Sequence, residues 1–289
     1  MRKFLSVASI ATVLALASCE EKGPVIDFGG GAVAEDTTYV GTVPTAQQRV
    51  VVVEEFTGGT CANCPKARDL LKGISDNTPG RVLPIEIHIL HFNQSNPATA
   101  EGAKYDLRTQ DGTDIGTQFY INVNQMPAAG INRAGTDEER LLLSGKWANK
   151  INEQLAITPA VNVDVTSAYD AGKATIKVKV AYNQPVTKQQ FMTVALIEDG
   201  IVDVQEYPDS FDHHYTFMHT LRDIVTPVVG QPFLTDVPTK EAGRVYERTF
   251  QYDVNADWKP ENCKVIAFVH YNDADSKEIL QAAETKLKE

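Results

Sequence analysis

The chain has 289 residues, of which 43% are hydrophobic and 22% are charged. This composition is typical of a globular protein rather than a disordered one, and the length is sufficient for two domains. The formal net charge of −11 argues against binding to nucleic acid and against electrostatic docking on anionic membranes.

Residues 1–18 have the organisation of a signal peptide for export. Arg2-Lys3 form a positive start, an apolar run follows, and Leu16-Ala17-Ser18-Cys19 closes it with small residues before a cysteine. This ending resembles the bacterial lipobox, which implies that Cys19 is acylated and becomes the mature N-terminus. The alternative is ordinary secretion with a free Cys19. The apolar run is too short for a membrane-spanning helix.

A lipidated N-terminus and a flexible linker are predicted over residues 19–48. Gly29-Gly30-Gly31 and thinly apolar flanks cannot bury a core, although Tyr39 to Gly41 indicates a short edge strand. Glu20-Glu21-Lys22 resembles the signal that sends Bacteroidetes lipoproteins to the cell surface. The sequence therefore predicts an outer-membrane lipoprotein and leaves open whether it faces the periplasm or the surface.

The most informative stretch is RVVVVEEFTGGTCANCP, from Arg49 to Pro65. Its run of four valines predicts a strand buried on both faces, and the apolar positions after Pro65 follow a helical period. Cys61 and Cys64 therefore lie where a buried strand passes into a helix. A helix N-terminus lowers the pKa of a nearby thiol, which favours nucleophilic chemistry at Cys61. The alternative is a static disulfide in an oxidising compartment.

This strand, loop, CxxC and helix resemble the thioredoxin fold. The resemblance implies a buried acid at Glu55, six residues before Cys61, and a cis-proline facing the CxxC, for which Pro127 is the candidate. Cys61 would attack a substrate, Cys64 would resolve the mixed disulfide, and Glu55 would accept the proton of Cys64. Pro127 would shape a substrate groove, in which the backbone of Met126 pairs with an extended segment.

The sequence departs from the thioredoxin pattern in three places. Thr60 stands where the family usually has tryptophan, and the residues between the cysteines are Ala-Asn. The long distance from Cys61 to Pro127 predicts an insertion near residues 93–114, with helix over Ala98 to Arg108. These departures leave the redox potential and the direction of electron flow undetermined.

A second resemblance covers the chain from about Val50 to the C-terminus. EEFTGGTCANCPKA, the later INR and HTLRD, and the closing KVIAFVHYND and KEILQAAE resemble the Omp28-related outer-membrane lipoproteins of Bacteroidetes. That family implies an α/β thioredoxin-like domain, here residues 49–157, followed by an all-β Ig-like sandwich domain, here residues 158–289.

The pattern of the second half agrees with that division. Thr136-Asp137-Glu138-Glu139 is a capping box that predicts a helix with Leu143, Trp147, Ile151 and Leu155 on one face. After Thr158-Pro159 the period becomes alternating, and repeated short strands with turn signals predict the antiparallel sandwich.

Other candidate sites are weaker. Cys263 lies in phase with apolar residues of a strand, which predicts core packing. Asp209, Asp212, His213, His214 and His219 form a dense cluster, but their spacing matches no familiar metal site, and a loop or edge strand is the preferred interpretation. We predict no metal and no cofactor.

Two functions from different classes remain. The first is a lipid-anchored thiol–disulfide oxidoreductase that acts on exported proteins through Cys61 and Cys64. The second is a non-catalytic outer-membrane or surface lipoprotein that binds a partner through its sandwich and keeps the CxxC as a structural disulfide. Access to the Cys61 sulfur discriminates between them, because a catalytic sulfur has to be reachable.

Overall fold

We analysed a computed structural model, which describes residues 33–121 and 123–289. The predicted signal peptide, the lipidation site Cys19 and the first part of the linker lie outside the described residues. Within the described ranges, no helix is both long and apolar enough to cross a bilayer.

Strands dominate the described chain, and three α-helices lie in its first half. In chain order, the elements are β1 (Val33–Val40), β2 (Val51–Phe56), α1 (Cys64–Asn77), β3 (Val82–Ile87), α2 (Gln110–Phe119), β4 (Ala128–Ile131), β5 (Leu141–Leu143), α3 (Trp147–Leu155), β6 (Val161–Asp170), β7 (Lys173–Tyr182), β8 (Phe191–Glu198), β9 (Ile201–Tyr207), β10 (Ser210–Phe217), β11 (Thr220–Ile224), β12 (Gln231–Pro232), β13 (Arg244–Asp253), β14 (Cys263–His270) and β15 (Ile279–Lys286).

The largest sheet is mixed and runs in the order β15-β14-β8-β11-β3-β2-β4-β5, with β12 added beside β8. β2 pairs with β3 in parallel, and β11 joins β3 in parallel at the single pair Thr220 and Glu86. The other neighbours in this sheet are antiparallel. This sheet therefore contains strands from both sides of the domain boundary predicted at Thr158-Pro159.

Two smaller antiparallel sheets complete the fold. One has the order β1-β13-β7-β6, and the other is the hairpin β9-β10. Side chains of β6, β7 and β13 share one hydrophobic cluster with side chains of β8 and β14. The described chain thus combines a mixed α/β sheet, with the CxxC at a helix start, and separate antiparallel sheets. An Ig-like sandwich topology remains a prediction.

The predicted buried strand and the helix after it are both present. Every residue of β2 is buried, because α1 and α3 cover one face of the strand and α2 lies in the cluster on the other. Pro65 occupies the first turn of α1, where a missing N–H costs nothing. All six residues of β3 are buried as well.

Two predicted helices differ from the structure. Ala98 to Arg108 contains only a short 3-10 turn at Thr99–Glu101, and α2 begins later, where the Thr109 side chain accepts a hydrogen bond from Gly112 N. The capping-box contact between Thr136 and Glu139 exists, but the helix begins only at Trp147. α3 thus carries Trp147, Ile151 and Leu155 of the predicted face, and Leu143 lies outside it. Instead Leu141–Leu143 extends the sheet edge beside β4, since the free backbone groups of β4 accept a strand there.

The predicted linker also contains regular structure. β1 pairs with β13 along its length, and the side-chain nitrogen of Gln47 donates to Asp164. The Tyr39 to Gly41 signal for an edge strand therefore marked the C-terminal end of a longer strand. Backbone pairing explains why this part of the predicted linker is a strand, because a strand gains main-chain hydrogen bonds even when few of its residues are apolar.

A buried ion pair on the α2 side of the sheet provides a test of the fold. Arg133 Nη2 lies 2.5 Å from Glu54 Oε1, and Tyr120 Oη donates to Glu54 Oε2 at 2.6 Å, with both charged side chains buried. We expect Arg133→Met to lower the free energy of unfolding by about 3–5 kcal/mol, because it leaves a buried carboxylate without its cation. Urea denaturation measures this change.

Lys72→Met is the matched control, since Lys72 and Asp76 form an exposed pair on α1. Its expected effect on the free energy of unfolding is within about 0.5 kcal/mol. Equal effects of the two substitutions would contradict the assigned role of the buried pair.

Candidate functional site

The two cysteines of the CxxC form a disulfide at the start of α1. Their sulfur atoms are 2.02 Å apart, and Cys64 is the first residue of the helix. A short loop, residues 57–60, connects the end of β2 to Cys61. The structure thus places the pair at the strand-to-helix junction that the sequence predicted.

Both cysteines are fully buried, with 0% of either residue exposed. Neither cysteine is therefore reachable in the way that the catalytic interpretation requires. The reason is a cover made of two chain segments that are distant in sequence. These are the segment 92–97, from the predicted insertion, and the strand β9.

Hydrogen bonds attach this cover to the CxxC loop. The side-chain nitrogen of Gln205 donates to the carbonyl of Cys61 at 3.2 Å, and Glu206 N donates to the carbonyl of Gly59 at 2.9 Å. On the insertion side, Thr60 Oγ1 donates to the carbonyl of Asn93 at 2.9 Å. β9 is also joined to a later part of the predicted insertion, because Asp203 accepts from the backbone of Lys104 and Tyr105.

Met126 and Pro127 lie in the short segment before β4. The Met126–Pro127 peptide bond is cis, as the thioredoxin resemblance implies, and Met126 belongs to the same apolar cluster as Cys61 and Cys64. Met126 is almost fully buried, and its sulfur lies 3.6 Å from Ser95 Oγ. The role of Met126 and Pro127 in a substrate groove stays a prediction.

Glu55 points to the face of the sheet that α1 covers. The residue is 0% exposed, and neither carboxyl oxygen has a hydrogen-bond partner in the structure. Burial and the nearby carboxyl of Glu86 raise the pKa of Glu55 well above its usual range, and the Arg68 guanidinium only partly offsets this. The folded protein therefore favours the neutral form of this carboxyl group more than water does.

Arg68 is the central side chain beside Glu55 and was not among the predicted site residues. Its Nη1 donates to Gln205 at 2.7 Å, its Nη2 donates to Thr57 at 2.7 Å, and its Nε lies 3.1 Å from Glu86 Oε2. One feature of the sequence could have indicated that Arg68 is buried. Arg68 follows Cys64 by four residues and precedes Leu71 by three, which places all three residues on one helical face.

The remaining candidates are distributed over the surface and the core. Cys263 is unpaired and buried, in agreement with the prediction of core packing, and burial raises the pKa of its thiol to about 12. His213 and His214 are exposed on β10, whereas His219 lies 3.2 Å from Asp199. Among residues 33–121 and 123–289, no three His, Cys, Asp or Glu side chains are grouped as a metal site requires.

Comparison with protein families gives one match. The sequence model of the family described as "Outer membrane protein Omp28" matches residues 117–289, more than half of the chain. The chain belongs to the Omp28 family. The matched segment begins inside α2 and does not include the CxxC. A comparison with curated proteins found no match.

Several solved structures resemble this Omp28-family chain, and at these low sequence identities the resemblance concerns the fold alone. HBP35 of Porphyromonas gingivalis has a TM-score of 0.67 at 17% identity, over 84% of this chain and 77% of its own. A protein of Agrobacterium tumefaciens has a TM-score of 0.51 at 16% identity, over 84% of this chain and 97% of its own. A domain of the outer membrane lipoprotein Omp28 of P. gingivalis covers 45% of this chain and 89% of its own, at 19% identity and a TM-score of 0.30.

The close contact between the CxxC loop and its cover generates a stability prediction. A Cβ on Gly58 would lie 2.0 Å from the carbonyl oxygen of Gln94. That oxygen belongs to the backbone, so it cannot move aside as the end of a side chain could. We expect Gly58→Ala to lower the free energy of unfolding by about 1–3 kcal/mol and to speed reduction of the disulfide by dithiothreitol. Urea denaturation and timed thiol alkylation measure the two effects.

Gly73→Ala is the matched control, because its Cβ would meet nothing within 4 Å on the surface of α1. This substitution should raise the free energy of unfolding by roughly 0.5–1 kcal/mol through helix propensity and leave the reduction rate unchanged. A Gly58→Ala protein as stable as the wild type, with an equally protected disulfide, would show that the cover is loose.

The raised pKa of Glu55 predicts how stability changes with pH. Between the unfolded-state pKa of about 4.3 and the higher folded-state value, the folded chain holds a proton that the unfolded chain has lost. The contribution of Glu55 to stability therefore falls as pH rises, by at most about 1.4 kcal/mol per pH unit. We expect Glu55→Gln to gain stability relative to the wild type between pH 5 and pH 8.

Urea denaturation at four pH values measures this gain, with Glu138→Gln at an exposed position as the control. The same substitution at Glu138 should leave the difference from the wild type independent of pH. A constant difference for Glu55→Gln would mean that Glu55 titrates normally in the folded state.

Proposed function

We propose that the protein is a non-catalytic, lipid-anchored lipoprotein of the outer membrane that acts by binding a partner, and that Cys61–Cys64 is a structural disulfide. The observation that carries this proposal is the complete burial of both cysteines beneath β9 and the segment 92–97. Thiol–disulfide exchange begins with attack of a thiolate on a sulfur atom, so its rate depends on access to that atom.

The contacts of the CxxC loop give the disulfide a structural role. The carbonyl groups of Gly59 and Cys61 both accept hydrogen bonds from β9, so the bond fixes a loop on which the cover is docked. Closing so short a loop removes unfolded-state entropy worth about 2 kcal/mol in the chain-entropy relation. The disulfide thus supports the position of the loop more than it supports global stability.

The sequence and the family support the membrane attachment, whereas the partner is part of the proposal itself. The lipobox-like ending at Cys19 supports acylation there, and the family to which the chain belongs is named for the outer membrane. The family model matches the region from residue 117 onward, which supports a function carried by the β-rich part. The partner is an envelope or surface protein, and binding uses the antiparallel sheets of that part.

A second function is favoured by Glu55, a buried acid without a hydrogen-bond partner on the strand that leads to the CxxC. In this alternative, the cover opens and reduced Cys61 attacks a disulfide of an exported protein, which releases one substrate thiolate and forms a mixed disulfide. Cys64 then attacks Cys61, releases the second substrate thiolate and restores the Cys61–Cys64 bond. Glu55 would take the proton of Cys64.

The reduction potential of the Cys61–Cys64 pair tests the proposal. We would equilibrate the chain lacking residues 1–19, with Cys263→Ser, against dithiothreitol and glutathione buffers and count free thiols by alkylation. A structural bond should have a potential below about −300 mV, or resist reduction until the protein unfolds. The double variant Cys61→Ser/Cys64→Ser should remain folded and should bind the protein partner with the affinity of the wild type.

A potential between about −270 and −120 mV would instead place the pair among working thiol–disulfide proteins. Loss of insulin reduction in Cys61→Ser, with activity in the parent, would then establish the second function and overturn the first.

A further inference from the structure

A cleft of about 700 Å³ lies between α1 and the β9-β10 hairpin, on the opposite side of Arg68 from the disulfide loop. Its floor contains Glu55 and Glu86, from β2 and β3. These two residues are paired in register on parallel strands, so their side chains stand next to each other on the same face of the sheet. No step of the proposed function uses this cleft.

Glu55 is the carboxyl group of the floor that lacks a donor. The three nitrogens of Arg68 are directed to Gln205, Thr57 and Glu86, and none of them bonds to Glu55. The guanidinium of Arg68 is therefore paired with Glu86, and within the described chain Glu55 has no cation bonded to it. A buried polar group without a partner costs free energy. Glu55 is 0% exposed, so a donor in the cleft reaches it only when the side chains beside it move apart, and the donor then gains an acceptor that has no other partner among the residues that the structure describes.

The charges at the rim of the cleft indicate the sign of that donor. Lys72 is paired with Asp76, and Lys264 is paired with both Asp199 and Glu284, so these ammonium groups are already neutralised. Asp69 and Asp212 also line the cleft, and no further lysine or arginine of the described ranges lines it to balance their charges. The cleft as a whole has more acidic than basic side chains, which favours a cation over an anion.

The walls of the cleft indicate the shape of the ligand. Leu71, Pro84 and Met218 supply apolar surface along the cleft, and Tyr207 supplies an aromatic ring at the hairpin side. The ring of Tyr215 already has the Arg68 guanidinium over it, at 5.3 Å. An aliphatic chain fits apolar walls, and aromatic faces attract an alkylammonium group as they do lysine. The walls and the floor together suit a methylene chain that ends in a positive charge.

We propose that this cleft binds a primary alkylammonium group, with the ammonium against Glu55 and the methylene chain along Leu71 and Met218. The group belongs either to a free polyamine or to a lysine side chain of a polypeptide, since both present the same chemistry. The proposal rests on the proposed function only in that the protein acts by binding. It does not depend on whether the disulfide is structural.

The binding has a defined pH dependence. Glu86 on β3 and Arg68 on α1 face Glu55, with Tyr215 of the hairpin and the Asp199–His219 pair farther out in the same cleft. Because the pKa of Glu55 is raised in the free protein, an ammonium that binds there ionises the carboxyl and releases a proton. Affinity should therefore increase as pH rises from 5 to 8.

Isothermal titration calorimetry on the chain lacking residues 1–19, with the disulfide intact, tests the proposal. The probes are 1,5-diaminopentane, the peptide Gly-Lys-Gly and pentane-1,5-diol, which has the same length as the diamine but no charge. We expect at least one amine probe to bind and the diol not to bind. Tighter binding of the peptide would identify a lysine side chain as the source, and tighter binding of the diamine a polyamine.

Glu55→Gln should weaken amine binding by at least about tenfold, since a hydrogen bond between two charged groups is lost. Glu138→Gln, an exposed change of the same kind, should leave the affinity within about threefold. Proton release by the unmodified chain, measured in two buffers of different ionisation enthalpy, provides a readout that needs no variant. A urea denaturation curve verifies that Glu55→Gln is folded.

Three results would overturn the proposal. These are equal binding of the diol and the diamine, an unchanged affinity in Glu55→Gln, and no binding of either amine probe. None of them bears on the reduction potential, so failure of the amine site and failure of the structural disulfide are separate outcomes.

Discussion

The arrangement of the site depends on the pairing of β11 with β3. Only Thr220 and Glu86 are in register there, and Glu86 N donates to the carbonyl of His219 at 2.8 Å. This short parallel contact joins the strands of the CxxC half to those of the β-rich half in one sheet. Because the β9-β10 hairpin immediately precedes β11, the same contact brings the hairpin over α1 and over the disulfide loop.

Glu54 and Glu55 show how strand alternation gives neighbouring residues different chemistry. Glu54 faces α2, where Arg133 and Tyr120 both donate to its carboxylate, and Arg133 also lies over the Phe119 ring at 3.4 Å. Glu55 faces α1 and receives no hydrogen bond. The first carboxylate is part of the core of the sheet, whereas the second is left available for a ligand or a proton.

Local patterns in the sequence predicted the elements nearest to the site. The four valines, the loop and the CxxC predicted β2 and the start of α1, and the thioredoxin resemblance correctly identified Pro127 as the residue after a cis bond. Leu143 has helical spacing in the sequence but lies on the edge strand β5, where it is 49% exposed. Its position depends on pairing with the free edge of β4, which the spacing does not reveal. Tertiary pairing overrode the local pattern there.

The cover of the disulfide was not predictable for a related reason. Arg68 and Gln205 are 137 residues apart in sequence, and no periodicity links a helix position to a strand in the second half of the chain. Glu86 appeared to be an exposed position of a half-buried strand, yet a hairpin and a helix enclose it. Contacts of this kind depend on topology, and a single sequence contains no local signal for them.

The position of β1 has a mechanical consequence for an anchored protein. β1 forms an edge of the four-stranded sheet, and its first residue, Val33, is close in sequence to Cys19. Fourteen residues span at most about 50 Å, so acylation of Cys19 would keep the folded body within that distance of the membrane. A pull from the lipid would act along β1. Because the hydrogen bonds to β13 run perpendicular to the strand, the pull would load them together in shear rather than open them one by one.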